Sequence, residues 1–169
     1  HVLLVVTAIL GLQTVVYSQE NRTVADFTGI ASGGNFNVYV SLGNTESLRL
    51  EGNQDLFKDI ETEVVKGVLK IQYTVKKRYL DWNSYDKKRV NIYITAKTLT
   101  NVSVSGSGDL KVEGTIKVPD FKASVSGSGN MVVDAESVNL QATVSGSGNL
   151  NLSGTAQNTE LVVSGSGNL

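Results

Sequence analysis

The most chemically varied stretch of the 169-residue chain is residues 76–89, KKRYLDWNSYDKKR. It gathers six of the fifteen basic residues with Tyr79, Tyr85 and Trp82, the sole tryptophan. Aromatic faces beside Lys, Arg and Asp can stack a sugar ring and grip its hydroxyls or an acidic substituent. Tyr79, Trp82, Tyr85, Lys87, Lys88 and Arg89 are therefore the candidate ligand-contact residues. The plainer reading is a long hairpin whose rings pack on a β wall while its charges stay solvated, and it is the favoured one because aromatic rings bury well.

Glu61 and Glu63 share one face of an extended segment, about 7 Å apart by strand rise. That separation would suit glycoside hydrolysis. Nothing else in the sequence assembles a cleft around them, so the expectation is no enzyme. Nucleophilic and metal chemistry have few residues to work with. The chain has no cysteine, and its one histidine is His1. A Ser-His-Asp triad, a thiolate zinc site and a disulfide framework are all excluded, and no cofactor or metal is expected.

The composition supports a folded core. Hydrophobic residues make up 40% and charged residues 18%, which argues against bulk disorder. A net charge of −1 gives no electrostatic footprint for nucleic acid. Residues 2–16, VLLVVTAILGLQTVV, are apolar and uncharged and lead into Val16-Tyr17-Ser18. This pattern predicts a signal peptide over 1–18, truncated at its N-terminus and cut after Ser18. The run is short for a membrane span, so no transmembrane segment is expected in the mature chain.

Four copies of one unit dominate the second half: VSGSGDL at 104–110, VSGSGNM at 125–131, and VSGSGNL at 144–150 and 163–169. Their starts are 21, 19 and 19 residues apart. A period near 20 residues is one turn of a solenoid. Apolar and polar residues alternate with period 2 through each unit, which places the glycines on the core-facing side and the serines outside. The alternation changes phase near Pro119-Asp120, at Glu136-Ser137 and within residues 157–160, where corners are expected. Parallel stacking would put Asp109, Asn130, Asn149 and Asn168 one above another as an amide ladder; a bend at these positions fits equally, since Asn tolerates left-handed backbone. Gly/Ser linkers lack such flanking periodicity.

The first half reads as strands too. Phe36, Val38, Val40 and Leu42 alternate with polar residues, as do Leu69, Ile71, Tyr73 and Val75, and Val90, Ile92, Ile94 and Ala96. Residues 54–60 suit one short helical turn. Residues 26–30 (DFTGI), 33–38 (GGNFNV), 48–52, 60–73 (IETEVVKGVLKIQY) and 99–108 (LTNVSVSGSG) together resemble the bacterial GIN domain, an autotransporter-adhesin head domain. The resemblance covers residues 24–169. It implies an exported, right-handed β-helix-like fold and a surface or adhesive role, and it brings no catalytic residues.

The sequence thus predicts an all-β, right-handed parallel β-helix-like solenoid with rungs of about 19–21 residues. One domain is expected over 19–169, less regular over 19–96 and regular over 97–169. The last unit stops at Leu169, so truncation at the C-terminus or a cap on the last rung is expected. The expected function is an exported cell-envelope or surface protein, adhesin-like or scaffold-forming, without catalysis. The alternative is a carbohydrate-binding or polysaccharide-processing β-helix. Location in the periplasm, at the outer-membrane surface or outside the cell would all fit. The partners that fit are a surface glycan, an envelope protein or further copies of the chain.

Overall fold

The computed structural model describes residues 18–74 and 89–169. Period-2 segments become strands, and they do so in chain order. β1 is Ser18–Arg22, β2 Gly29–Gly34, β3 Asn37–Leu42 and β4 Ser47–Gly52. A single helical turn, α1 (Gln54–Phe57), follows, capped by the Asn53 side chain accepting from the Asp55 amide. Then come β5 (Ile60–Val65), β6 (Val68–Tyr73), β7 (Asn91–Ala96), β8 (Asn101–Gly106), β9 (Asp109–Lys117), β10 (Asp120–Gly127), β11 (Asn130–Gly146) and β12 (Asn149–Gly165).

The twelve strands of the described residues belong to one sheet, ordered β1-β4-β7-β3-β9-β11-β10-β8-β2-β6-β5, with β12 added along β11. β11 is the fold line. Its first half pairs with β9 and its second half with β10, so the sheet bends into two walls that face each other. The far ends of the path are β1 and β5. Arg22 of β1 reaches across, donating to the Ile60 carbonyl at 2.6 Å, the Thr62 hydroxyl at 3.1 Å and the Phe57 carbonyl at 2.7 Å. A guanidinium fork thus joins the two ends where a backbone ladder is lacking.

This corrects the expected parallel β-helix solenoid. The molecule is an all-β, nearly closed, barrel-like sheet of mixed strand direction. β1–β4, β4–β7 and β5–β6 pair antiparallel, while the strands between them run parallel. The cause is local turn chemistry. Lys66 and Gly67 both have positive φ (51° and 75°), which makes the two-residue turn that closes a tight hairpin between β5 and β6. Chain reversal between β3 and β4 likewise sets β4 antiparallel to β7.

The four repeat units lie side by side in parallel register. Val125 pairs with Val104 and Val144, and Val144 with Val163. The glycines behave differently from the expected inward row. The second glycine of the first three units (Gly108, Gly129, Gly148) is buried, but the first glycine is not. Gly106, Gly127 and Gly146 have φ of 113°, 107° and 112° and end their strands. The Gly-Ser-Gly step is therefore itself a corner. The expected corner at Pro119-Asp120 does separate β9 from β10, whereas the phase change at Glu136-Ser137 happens inside continuous β11. There Val138 turns outward, 39% exposed.

Between the walls lies one apolar core, with Phe27, Phe36, Leu50, Phe57, Leu69, Ile71, Ile92, Leu110, Ile116, Val125 and Met131 among its members. Each fully buried large aliphatic or aromatic side chain contributes about 1.5–3 kcal/mol relative to exposure. Because both walls anchor their inner faces here, alternate residues on every strand are held facing solvent in fixed rows.

Candidate functional site

Two outer walls are available to a partner. One is built from β4, β7, β3, β9 and the first halves of β11 and β12. Pairing register fixes three parallel rows of outward side chains on it.

The first row runs Asn91, Asn37, Asp109, Asn130, Asn149, Asn168. The Asn130 amide donates to Asp109 at 2.7 Å, Asn149 to Asn130 at 2.7 Å, and Asn168 to Asn149 at 2.8 Å. On the other side Asn37 donates to Asn91 at 2.9 Å. Two acceptor oxygens, of Asp109 and Asn37, are thereby left next to each other. Arg89 resolves this by donating to both from one nitrogen, as an ion pair with Asp109 and at 3.1 Å to Asn37.

The middle row runs Arg49, Tyr93, Tyr39, Lys111, Val132, Asn151. Tyr39 and Tyr93 are directly opposed, so their rings stack with centroids 5.2 Å apart and planes 20° apart. Arg49 lies over the Tyr93 ring, 4.7 Å from its centroid. The third row holds Ser47, Thr95, Ser41, Glu113 and, further on, Asp134, with Ser153 donating to Asp134 at 3.0 Å.

The opposite wall is plainer. Its outward residues include Ser103, Ser105, Ser124, Ser126, Thr143 and Ser145. A shallow groove runs over Ala31 and Gly33 between Lys70-Gln72 and Ser103-Ser105. The ring beside it, Tyr73, is engaged with Phe36, 4.7 Å between centroids, and donates to Asn35 at 2.6 Å.

Of the residues singled out in the sequence, Arg89 bridges the first row where Asn37 meets Asp109. Tyr79, Trp82, Tyr85, Lys87 and Lys88 lie outside the described residues, as does the signal segment up to residue 17. Glu61 and Glu63 occupy the edge strand β5 opposite Gln72 and Lys70, with Gln72 donating to Glu61 at 3.2 Å. That pairing engages Glu61 with an amide rather than with a second acid. The Tyr39–Tyr93 stack was missed. Its signal was present: Asn37-Val38-Tyr39-Val40 and Asn91-Ile92-Tyr93-Ile94 are the same tetrapeptide pattern.

Among the described residues, no group of three or more His, Cys, Asp or Glu is placed to hold a metal ion. Nor is any helix there long and apolar enough to cross a membrane.

The family described as "Putative auto-transporter adhesin, head GIN domain" matches residues 26–169. The chain belongs to the GIN-domain family. Solved structures share the fold at low identity. A "putative lipid binding protein" from Parabacteroides distasonis superposes with a TM-score of 0.70 at 22% identity, over 90% of this chain and 73% of that one. "Putative adhesin" structures from Bacteroides fragilis (16% identity, 92% and 96% coverage) and Parabacteroides merdae (13% identity, 92% and 96% coverage) each give 0.56. No curated protein matches the chain. The family is described as adhesin-like, and the repeat unit builds β8–β12 of this chain's sheet.

Proposed function

We propose that this GIN-domain chain is an exported, non-catalytic adhesive module that contacts a surface glycan or an envelope protein through its outer walls. The reading rests on one observation above all. The parallel register lays out rows of Asn, Ser, Thr and Tyr side chains on the outer walls, at the strand spacing of about 4.8 Å. Such rows offer many weak, repeated contacts, which suits attachment to an extended partner better than it suits catalysis. The family's adhesin description and the apolar, signal-like residues 2–16 support the same reading.

The test is adhesion itself. Beads coated with the purified chain should be retained on bacterial envelope preparations or glycan-coated surfaces more than beads coated with an unrelated β protein. Equal retention of the two would overturn the proposal. Release of reducing ends from polysaccharides incubated with the chain would overturn its non-catalytic part.

A further inference from the structure

The middle row of the first wall ends its aromatic stack in a step. The Tyr93 ring is held between Arg49 on one face and Tyr39 on the other. Because the two rings are nearly parallel, the second face of Tyr39 is turned away from Tyr93, toward β9. The cross-strand neighbour there is Lys111, followed by Val132 and Asn151. Tyr39 is 37% exposed and Val132 43% exposed. An aromatic riser therefore meets a tread made of the Lys111 methylenes and the Val132 side chain. Both sides of the tread are polar. Asp109, Asn130 and Asn149 flank it on one side; on the other lie Asp134 and Ser153, and Glu113 at the register shift between β9 and β11. Each ladder amide has two N–H donors, and the ladder uses one of them.

Charge decides the kind of ligand. Among the described residues, the basic side chains bordering the step are Arg49, Arg89 and Lys111, and each faces an acid. Arg49 lies 3.7 Å from Glu51, Lys111 lies 3.5 Å from Glu113, and Arg89 pairs with Asp109. An ionic ligand would have to displace these partners. A neutral ligand with one apolar face and many hydroxyls would not. It could lay its C–H face on the ring and the tread and bridge its hydroxyls to the amides and carboxylates on both sides.

We propose that this step is a binding site for a neutral pyranose glycan, with Tyr39 as stacking platform, Lys111 and Val132 as floor, and Asn130, Asn149 and Glu113 as hydroxyl contacts. The proposal rests on the adhesive reading and names its ligand class and its site. Rigid, stacked aromatic rings suit such a role because little side-chain freedom is lost on binding.

The test titrates the chain with cellohexaose, xylohexaose and mannohexaose as neutral probes and with oligogalacturonate as an acidic one, read by calorimetry and by amide chemical shifts. At least one neutral oligomer should shift the amides of Tyr39, Lys111 and Val132. Tyr39→Ala should weaken binding about tenfold, Tyr39→Phe should retain it, and Val132→Glu should weaken it without touching the ring. Unchanged melting temperatures separate lost contacts from lost fold, and Val132→Glu supplies the answer if Tyr39→Ala melts early. The site is wrong if no neutral oligomer binds, if only oligogalacturonate binds, or if Tyr39→Ala and Val132→Glu bind like the parent chain. Coated beads that still adhere while no neutral sugar binds would sink this site and leave the adhesive reading standing; loss of both would sink both.

Discussion

The side-chain amide of Asn130 donates to the carboxylate of Asp109 at 2.7 Å, across two strands that pair in parallel register. Direction matters in this ladder. Every amide beyond Asp109 donates toward it, so the carboxylate is the common terminus of the chain of donors. Arg89 pairs with the same carboxylate and offsets its charge.

Asn149 makes two ladder bonds, donating to Asn130 and accepting from Asn168. Asn149→Ala removes both, while Asn168→Ala removes one. At about 0.5–1 kcal/mol for each exposed side-chain bond, urea midpoints should fall roughly twice as far for Asn149→Ala. Asn149→Asp should be at least as costly as the alanine variant, since a carboxylate cannot donate and would face the Asn130 oxygen. Equal midpoints for all three variants would show that the ladder contributes nothing.

This ladder was one of two arrangements the sequence allowed, beside a bend at the Asn positions, because equivalent residues of a repeat at constant spacing meet when the strands stack. The sheet direction was not. The reversal into β6 depends on the left-handed backbone of Lys66 and Gly67, a local signal that sits outside the repeat. The corner at each Gly-Ser-Gly was hidden for another reason. Polar and apolar residues continue to alternate through it, so period alone reads as a straight strand, although the positive φ of Gly106, Gly127 and Gly146 turns the chain. Tyr39 and Tyr93 are 54 positions apart, and only the β3–β7 register brings them together. Of the residues chosen for their chemistry, Arg89 reached this wall because β7 begins two residues later.

Not every glycine at positive φ is equally necessary. Gly67 has φ 75° and open space where a Cβ would stand. Gly67→Ala should therefore cost only the left-handed backbone penalty, about 1–2 kcal/mol. Gly127 has φ 107°, and a Cβ there would come within 2.5 Å of the Gly106 carbonyl oxygen. Backbone on backbone has no rotamer to yield, so Gly127→Ala should cost about 4 kcal/mol or more. Thermal melts followed by circular dichroism separate the two. Similar melting temperatures would mean that neighbouring strands can shift apart.

Among the described residues, β10 is paired on both sides, by β8 and β11, whereas β12 is paired by β11 alone. Leu161, Val162 and Val163 on β12 are about half exposed. A strand with one open edge and little apolar cover opens locally at lower free energy than a central one. Hydrogen exchange should therefore be faster in β12 than in β10 by an order of magnitude or more at equivalent positions such as Ser164 and Ser126. Equal protection would mean that the edge is covered in solution.

Glu46 links acid stability to one strained turn. Asp26 has φ 59°, a left-handed conformation uncommon outside glycine. The Glu46 carboxylate holds it, accepting from the Asp26 amide at 3.1 Å and the Phe27 amide at 3.4 Å, with Lys97 at 3.3 Å. The Asp26 backbone bond is the main cause that lowers the Glu46 pKa below its ordinary 4.5; burial opposes it, and Lys97 and the Phe27 amide add to it. A carboxyl whose pKa is lower in the folded state is protonated more readily in the unfolded chain. Its stabilising contribution is therefore present above pH 4.5 and is lost as pH falls through the lowered folded value. Glu46→Gln removes this titration, so the stability difference between parent and variant should be largest near neutrality and shrink as pH drops into the acid range. Urea unfolding at pH 7 and at pH 3 measures it. A difference that stays constant between the two would show that Glu46 does not hold the turn through its charge.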